Sequence, residues 1–174
     1  MKLQFWSFDV IFAMIIFSFA ITILAFVWYS VSNQFALSYG YSASSMQIQA
    51  QALANRLLTP GEPSYWSSVI VANNSSTWSN ISIGLEGSEG LSLEKLAALE
   101  GISNYNYQAT KQLLDVGYDY YIIIKYQGLS YGIGLNPNTA KALSIYVVNK
   151  PVIINGVAAS MQVMVFSNTS FGVE

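Results

Sequence analysis

The side chains that most often carry enzymatic chemistry are scarce in this chain. It has no histidine and no cysteine, so the commonest general base and the best thiol nucleophile are both absent. Carboxylates occur in predicted loops and short helices without a catalytic or EF-hand motif; among them are Glu86, Glu89, Glu94, Glu100, Asp115 and Asp119. We interpret them as solvated surface charges. The sequence therefore predicts no enzyme, no cofactor and no metal site.

One further carboxylate, Asp9, has a different setting. It stands directly before the 19 residues from Val10 to Trp28, all of them apolar except Ser18 and Thr22. A carboxylate inside a membrane helix costs about 3 kcal/mol, and less near an end where it can reach the interface. Asp9 therefore either marks the cytoplasmic edge of a membrane span or is held for a partner, such as an amine of a neighbouring subunit.

The element that positions Asp9 is a long predicted helix over residues 5–58. The first proline is Pro60, and beyond Tyr29 apolar side chains recur mostly three or four residues apart up to Leu57, as one helix face requires. Residues 10–28 match the ~20 residues of a membrane span, and residues 29–58 would extend the helix as a stalk. A helix of about fifty residues is roughly 75 Å long.

Charge is almost absent from this helix. None of the 46 residues from Val10 to Asn55 is charged, whereas a solvated helix usually carries a charged face. We expect the helix to pack against copies of itself or against related chains.

Only 9% of all residues are charged and the net charge is −2, with no basic run, so nucleic acid is not an expected partner. Lys2 precedes the span and Arg56 follows far beyond it, which favours an N-terminus on the cytoplasmic side of the membrane and a head on the outside.

Pro60 and Pro63 mark a neck at residues 59–63, and residues 64–174 form the predicted head. Ser92 is a candidate N-cap for a short helix to Leu99, and a second helix is predicted over 107–114. Lys111 in the second helix and Asp115 directly after it stand four apart and could pair weakly. Four strands rich in Tyr, Ile and Val follow, at 120–127, 129–135, 142–149 and 158–167. The predicted class is α+β: a long N-terminal helix, then a small antiparallel head, arranged as a meander packed on the outer half of the helix.

These features together resemble the archaeal type IV pilins and pilin-like surface filament subunits. That family shares a short positively charged leader, an acidic residue at the fifth mature position, and a long N-terminal helix with a C-terminal head. Cleavage between Gln4 and Phe5 would remove residues 1–4 and make Asp9 mature residue five. The resemblance implies that Asp9 neutralises the N-terminal amine of Phe5 in an adjacent subunit. It also implies a prepilin peptidase and pilus assembly machinery as partners.

The leader departs from the family in one respect, because a glycine usually precedes the cut and Gln4 or Leu3 stands there. Two alternatives therefore stay open. Gln4 could be the first mature residue, which makes Asp9 residue six, or the leader could remain and act as a signal anchor.

The head shows a second resemblance to archaeal pilin-like proteins. A proline-glycine-proline-tryptophan junction often follows their long helix, and a tyrosine-rich segment precedes a strand. The corresponding stretches are TPGEPSYW at 59–66 and LLDVGYDYYI at 113–122.

Sequons for N-glycosylation begin at four asparagines in the head, and glycosylation would place these positions on an exported surface. They are Asn73, Asn74, Asn80 and Asn168.

The predicted function is a structural subunit of an extracellular type IV pilus-like filament. The subunit would be inserted in the membrane as a precursor, would polymerise with itself through residues 5–58, and would have a role in surface adhesion. The alternative is a monomeric, signal-anchored cell-surface protein that binds a sugar or a partner protein and does not polymerise.

Overall fold

The computed structural model describes residues 3–71, 73–78 and 80–168 of the 174-residue chain. The side chains of residues 3–7, 35–42 and 75–76 lie outside this description. So do Met1 and Lys2 of the predicted leader and residues 169–174 of the predicted head. The chain divides into two units, one ending at Tyr41 and one beginning at Ser42.

Helix α1 runs from Leu3 to Leu57 without interruption. Its end lies within one residue of the prediction, because Pro60 excludes helical geometry at the residue before it. Thr59 Oγ1 donates to the carbonyl oxygen of Arg56 at 2.7 Å and so satisfies one carbonyl of the last turn. Residues 42–57 of α1 belong to the same compact unit as the head.

Short helices follow in the head. They are α2 (Trp66–Val69), a 3₁₀ turn (Ser75–Trp78), α3 (Leu93–Tyr105) and α4 (Tyr107–Leu113). Ser92 caps α3 as predicted, since its side chain accepts a hydrogen bond from the backbone N–H of Lys95. Helix α3 does not stop near Leu99, however. It continues past Gly101 because Ile102 is fully buried in the core, and tertiary packing outweighs the low helix propensity of one glycine.

Two sheets complete the head. Strands β1 (Glu86–Gly87) and β2 (Gly90–Leu91) form a small hairpin. The larger sheet contains β3 (Asp119–Tyr126), β4 (Leu129–Gly134), β5 (Ser144–Ile154) and β6 (Val157–Ser167). Its strands are antiparallel and lie in the order β4-β3-β6-β5. The α+β class is therefore confirmed.

The expectation of a simple meander is wrong, because β6 pairs with β3 and leaves β5 at an edge. The physical reason is burial: Met161, Val163 and Val165 of β6 are all inaccessible to solvent. A strand with so apolar an inner face buries the most apolar surface, and so stabilises the fold most, when it lies in the centre of the sheet. The two hairpins β3–β4 and β5–β6 are thus joined through their most apolar strands.

The third predicted strand also ends too early at residue 149, since β5 continues through Pro151 to Ile154. Proline lacks an N–H and is tolerated where its nitrogen faces away from the neighbouring strand. An edge position in the sheet supplies that condition.

The core of the head joins the last turns of α1 to the inner face of the larger sheet, as the helix-on-sheet prediction requires. Alternate residues of β3, including Tyr120, Ile122 and Ile124, are fully buried. They belong to one buried cluster with Ala50 and Leu53 of α1. Burial of such side chains contributes ~1.5–3 kcal/mol each, so the stalk end is part of the folded head.

Candidate assembly segment and head surface

The N-terminal unit presents an exposed apolar helix. Within Phe8–Gln34, the most apolar stretch of 18 residues has a mean hydropathy of 2.9, and none of that stretch is buried. Phe19 is 66% exposed and Trp28 is 75% exposed. By length and composition the segment can cross a hydrocarbon core of ~30 Å. An N-terminal signal sequence has the same character.

The two polar side chains inside the apolar run are satisfied within the helix. Ser18 Oγ donates to the carbonyl oxygen of Met14, and Thr22 Oγ1 donates to the carbonyl oxygen of Ser18, both at 2.8 Å. Hydroxyls that bond to a carbonyl four residues earlier leave no free donor to desolvate. Ser18 and Thr22 therefore do not oppose an apolar environment.

Asp9 is exposed at the start of this segment. It forms no ion pair with any residue that the structure describes. Gln4 and Phe5, assigned above to leader cleavage, have backbone within α1, but their side chains fall outside the description. Among the residues described, Asp9 thus has no ion-pair partner within its own chain.

The head is tied to the end of α1 by polar contacts as well as by the core. Gln49 Oε1 accepts a 2.8 Å hydrogen bond from the backbone N–H of Gly117. Arg56 and Asp115 form an ion pair at 3.4 Å, with the Asp115 side chain 85% exposed. Exposed ion pairs contribute ~0.2–1 kcal/mol, so the core remains the main attachment.

The neck is held by a buried lysine. Lys95 is 7% exposed, and its ammonium group donates to the carbonyl oxygens of Pro60 and Glu86, each at 2.7 Å. Nearby, Trp66 is fully buried and its indole N–H donates to the carbonyl oxygen of Gly84 at 2.8 Å. These bonds connect the neck, the β1–β2 hairpin and α3.

A second polar cluster links α4 to β3. Lys111 Nζ lies 3.1 Å from Asp119 Oδ1, and both side chains are less than one-fifth exposed. The predicted pair of Lys111 with Asp115 is therefore wrong: Asp115 follows the end of α4 with a φ of +54°, and its side chain turns to Arg56 instead. Lysine is long enough to reach the start of β3.

Two stacked tyrosines complete this cluster. Tyr107 Oη donates to Asp119 Oδ1 at 3.1 Å and accepts from the backbone N–H of Tyr120 at 3.0 Å. The two rings stack with centroids 5.2 Å apart, and Tyr120 Oη lies 3.1 Å from Ser103 Oγ. Burial raises the pKa of Tyr120 to about 12, and burial together with the charge of Asp119 raises the pKa of Tyr107 above its usual range.

The four sequon asparagines are all exposed. Asn73 and Asn74 lie before the 3₁₀ turn, where the Asn74 carbonyl oxygen accepts a hydrogen bond from Thr77 Oγ1. Asn80 adopts a left-handed backbone with φ +63°, and Asn168 directly follows β6.

The acidic residues of the head are spread over several elements in the described part of the chain. No group of three or more His, Cys, Asp or Glu side chains there could hold a metal ion. Glu86, Glu89 and Glu94 are exposed, and Glu94 accepts a hydrogen bond from Ser67 Oγ at 3.0 Å. Glu100 is half-buried. The exposure of Glu86, Glu89 and Glu94 fits surface charges. The interpretation as a solvated charge is wrong for Asp119, whose side chain is 17% exposed and paired with Lys111.

The sequence interpretation missed the Lys95 contacts and the Tyr107–Asp119 cluster. Neither had a local signal, because the partners of Lys95 are backbone carbonyls 9 and 35 residues away. The tyrosine-rich segment at 118–121 was the one visible hint of the second cluster.

Comparison with known proteins yields no assignment: no protein-family model, no curated protein and no solved structure matches this chain. The layout of a long apolar N-terminal helix followed by a small β-rich head is compatible with a pilin-like protein.

Proposed function

We propose that this chain is a structural subunit of a type IV pilus-like extracellular filament. In this proposal the precursor lies in the membrane with its N-terminus inside, and a prepilin peptidase and the pilus assembly machinery process and extract it. The subunits then pack through residues 5–58, the heads form the outer surface, and surface adhesion is the biological role.

The observation that carries the proposal is the exposed apolar surface of Phe8–Gln34 with one carboxylate, Asp9, at its start. The same helix ends inside the core of a folded head. A helix of this kind needs an apolar environment along its first unit, and lipid or neighbouring copies can both supply it. Moving from one to the other changes apolar burial little, so packing and the pairing of Asp9 would direct assembly.

Asp9 is the residue through which the proposal is most sharply tested. A carboxylate within a helix bundle is costly unless it is paired. Since Asp9 has no ion-pair partner among the described residues of its own chain, the proposed partner is the mature N-terminal amine of an adjacent subunit.

The first experiment is electron microscopy of material sheared from cells that express the chain, with mass spectrometry of the N-terminal peptide from the same preparation. Filaments whose chain begins at Phe5 or Gln4 would support the proposal and define the cleavage site. Full-length chain found only in membranes, without filaments, would contradict it. That result would favour the monomeric, signal-anchored alternative.

An Asp9→Ala variant tests the assembly role, and a Thr22→Ala variant in the same apolar run serves as the matched control. We expect Asp9→Ala to insert normally and to reduce filaments at least tenfold, whereas Thr22→Ala assembles normally. Normal filaments from Asp9→Ala would remove the role assigned to this carboxylate.

A further inference from the structure

The larger sheet ends in two edge strands, β4 and β5. An edge strand presents a row of unpaired N–H and C=O groups that can add a strand from another chain. Natural proteins usually guard such edges with proline, charge or a covering segment. The two edges of this head can be compared residue by residue.

The direction of the free backbone groups on β5 follows from its turn. Asn155 and Gly156 both have positive φ, +49° and +74°, which defines a two-residue type I′ hairpin. In that hairpin Ile154 and Val157 form a hydrogen-bonded pair, so the even-numbered residues of β5 bond to β6. The odd-numbered residues then direct their N–H and C=O groups outward.

Two observations agree with this direction and show that the end of β5 is closed. Pro151 occupies an outward position and has no N–H to offer. The carbonyl oxygen of Ile153 faces the backbone of Gly90 in β2, so closely that a side chain at Gly90 would not fit. The remaining outward positions, Ile145, Val147 and Asn149, are exposed, and no described strand pairs with them.

No described strand pairs with the outer side of β4, the opposite edge strand. Gln127 and Gly128 form another turn with positive φ at both residues, +49° and +80°. Ser130 and Gly132 therefore direct their backbone groups away from β3. Both residues are exposed. No proline and no charged residue occurs in this strand.

We propose that the β5 edge of one head pairs with the β4 edge of a second copy of this chain, giving a sheet that continues from head to head. The strand order and the antiparallel pairing make β4 and β5 run in opposite directions. Two heads in the same orientation therefore meet antiparallel. The contact is heterologous and does not close on itself. It rests on the proposed function, because a filament supplies neighbouring copies in one orientation.

The side chains that would face each other across the junction are compatible, as the strand directions are. In this pairing Val147 lies opposite Gly132, and Asn149 lies opposite Ser130. All four positions are on the outer face of the sheet, because they lie in the same rows of paired residues as Tyr121, Ile123 and Lys125. Neither residues 142–149 nor residues 128–135 contain a charge. Lys150 then lies opposite Leu129, so no like charges face each other across the junction.

Cysteine cross-linking of the full-length chain tests this pairing, because the natural chain contains no cysteine. The double variant Asn149→Cys/Ser130→Cys would place the two thiols opposite each other in neighbouring heads. Hydrogen-bonded antiparallel pairs have Cα atoms about 5.5 Å apart, which a disulfide can span. Within one head the two positions are separated by three strand spacings, roughly 14 Å, so no internal disulfide can form.

We expect oxidised surface material from the double variant to run as a ladder of dimers, trimers and larger species on a non-reducing gel. Each single variant, Asn149→Cys or Ser130→Cys, should stay monomeric and serves as its control. Filaments without a ladder would overturn the pairing and leave the proposed function standing. Dimers from Asn149→Cys alone would also overturn it, because they indicate a symmetric β5–β5 contact.

Electron microscopy of the same samples separates the two proposals. A ladder in membranes without filaments would support the head contact and contradict the filament. Absence of both the ladder and the filaments would contradict both proposals. In the double-cysteine background, Val147→Pro removes one outward N–H without touching the bonds to β6 and should abolish the ladder. Val147→Thr keeps that N–H and should retain the ladder, and loss in both variants would argue against backbone pairing.

Discussion

The ammonium group of Lys95 donates a 2.7 Å hydrogen bond to the carbonyl oxygen of Pro60, which lies 35 residues earlier in the chain. A second bond of the same length reaches the carbonyl oxygen of Glu86. One buried cation thus holds the neck to the head. The position of the neck depends on a side chain that the neck itself does not contain.

We predict that Lys95→Met destabilises the head by about 1–3 kcal/mol, because two carbonyl oxygens lose a charged donor while the apolar stem is retained. Denaturant unfolding of the full chain in detergent, followed by near-UV circular dichroism, measures the change. Lys125→Met is the control, since Lys125 is exposed on β3. Equal stability of the two variants would contradict a stabilising role for the Lys95 contacts.

The end of α1 should behave as part of the head core. Leu53 is 2% exposed, whereas Ile48 on the same helix is 67% exposed. We expect Leu53→Ala to cost about 2–5 kcal/mol and Ile48→Ala less than about 0.5 kcal/mol. The same unfolding measurement compares them. Similar losses in both variants would show that this part of α1 does not pack as described.

The Lys111–Asp119 and Arg56–Asp115 ion pairs should differ in strength. Asp119 is largely buried and accepts hydrogen bonds from both Lys111 and Tyr107, so Asp119→Asn is expected to cost about 1–3 kcal/mol. Asp115 is 85% exposed beside Arg56, so Asp115→Asn should cost well under about 1 kcal/mol. A double-mutant cycle with Lys111→Met should give a larger coupling energy for Asp119 than for Asp115, and the reverse order would refute this assignment.

Head stability should fall at alkaline pH because of Tyr120. Burial raises its pKa to about 12 in the folded state, while an unfolded tyrosine ionises near pH 10. The stabilisation is complete below pH 10 and is lost as pH rises through 12, since the unfolded state releases its proton first. The expected slope is about 1.4 kcal/mol per pH unit for this residue.

A Tyr120→Phe variant isolates that contribution, because it removes the ionisable hydroxyl and keeps the ring. Its unfolding free energy should decline less steeply between pH 10 and 12 than that of the unchanged chain. Absorbance at alkaline pH should show Tyr120 and Tyr107 ionising above pH 10, the ordinary pKa of tyrosine. Identical slopes for variant and unchanged chain would contradict the burial of this hydroxyl.

The sequence by itself determined the parts of this protein that depend on neighbouring residues. An apolar run, the absence of charge to Asn55 and the first proline at Pro60 were sufficient for the long helix and its end. Ser92 was recognisable because a helix cap requires a particular kind of side chain at one position. The α+β class followed from these local patterns.

Tertiary structure alone decided how distant parts meet. Strand order could not be read locally, because β4 and β6 are both apolar and the choice of neighbour for β3 depended on how much surface each strand buries in the assembled core. Lys111 pairs with Asp119 rather than Asp115 because the chain turns at the end of α4. Lys95 bonds to backbone carbonyls that come near it only when the neck is folded against the head. Such contacts join residues far apart in sequence, so no short pattern records them.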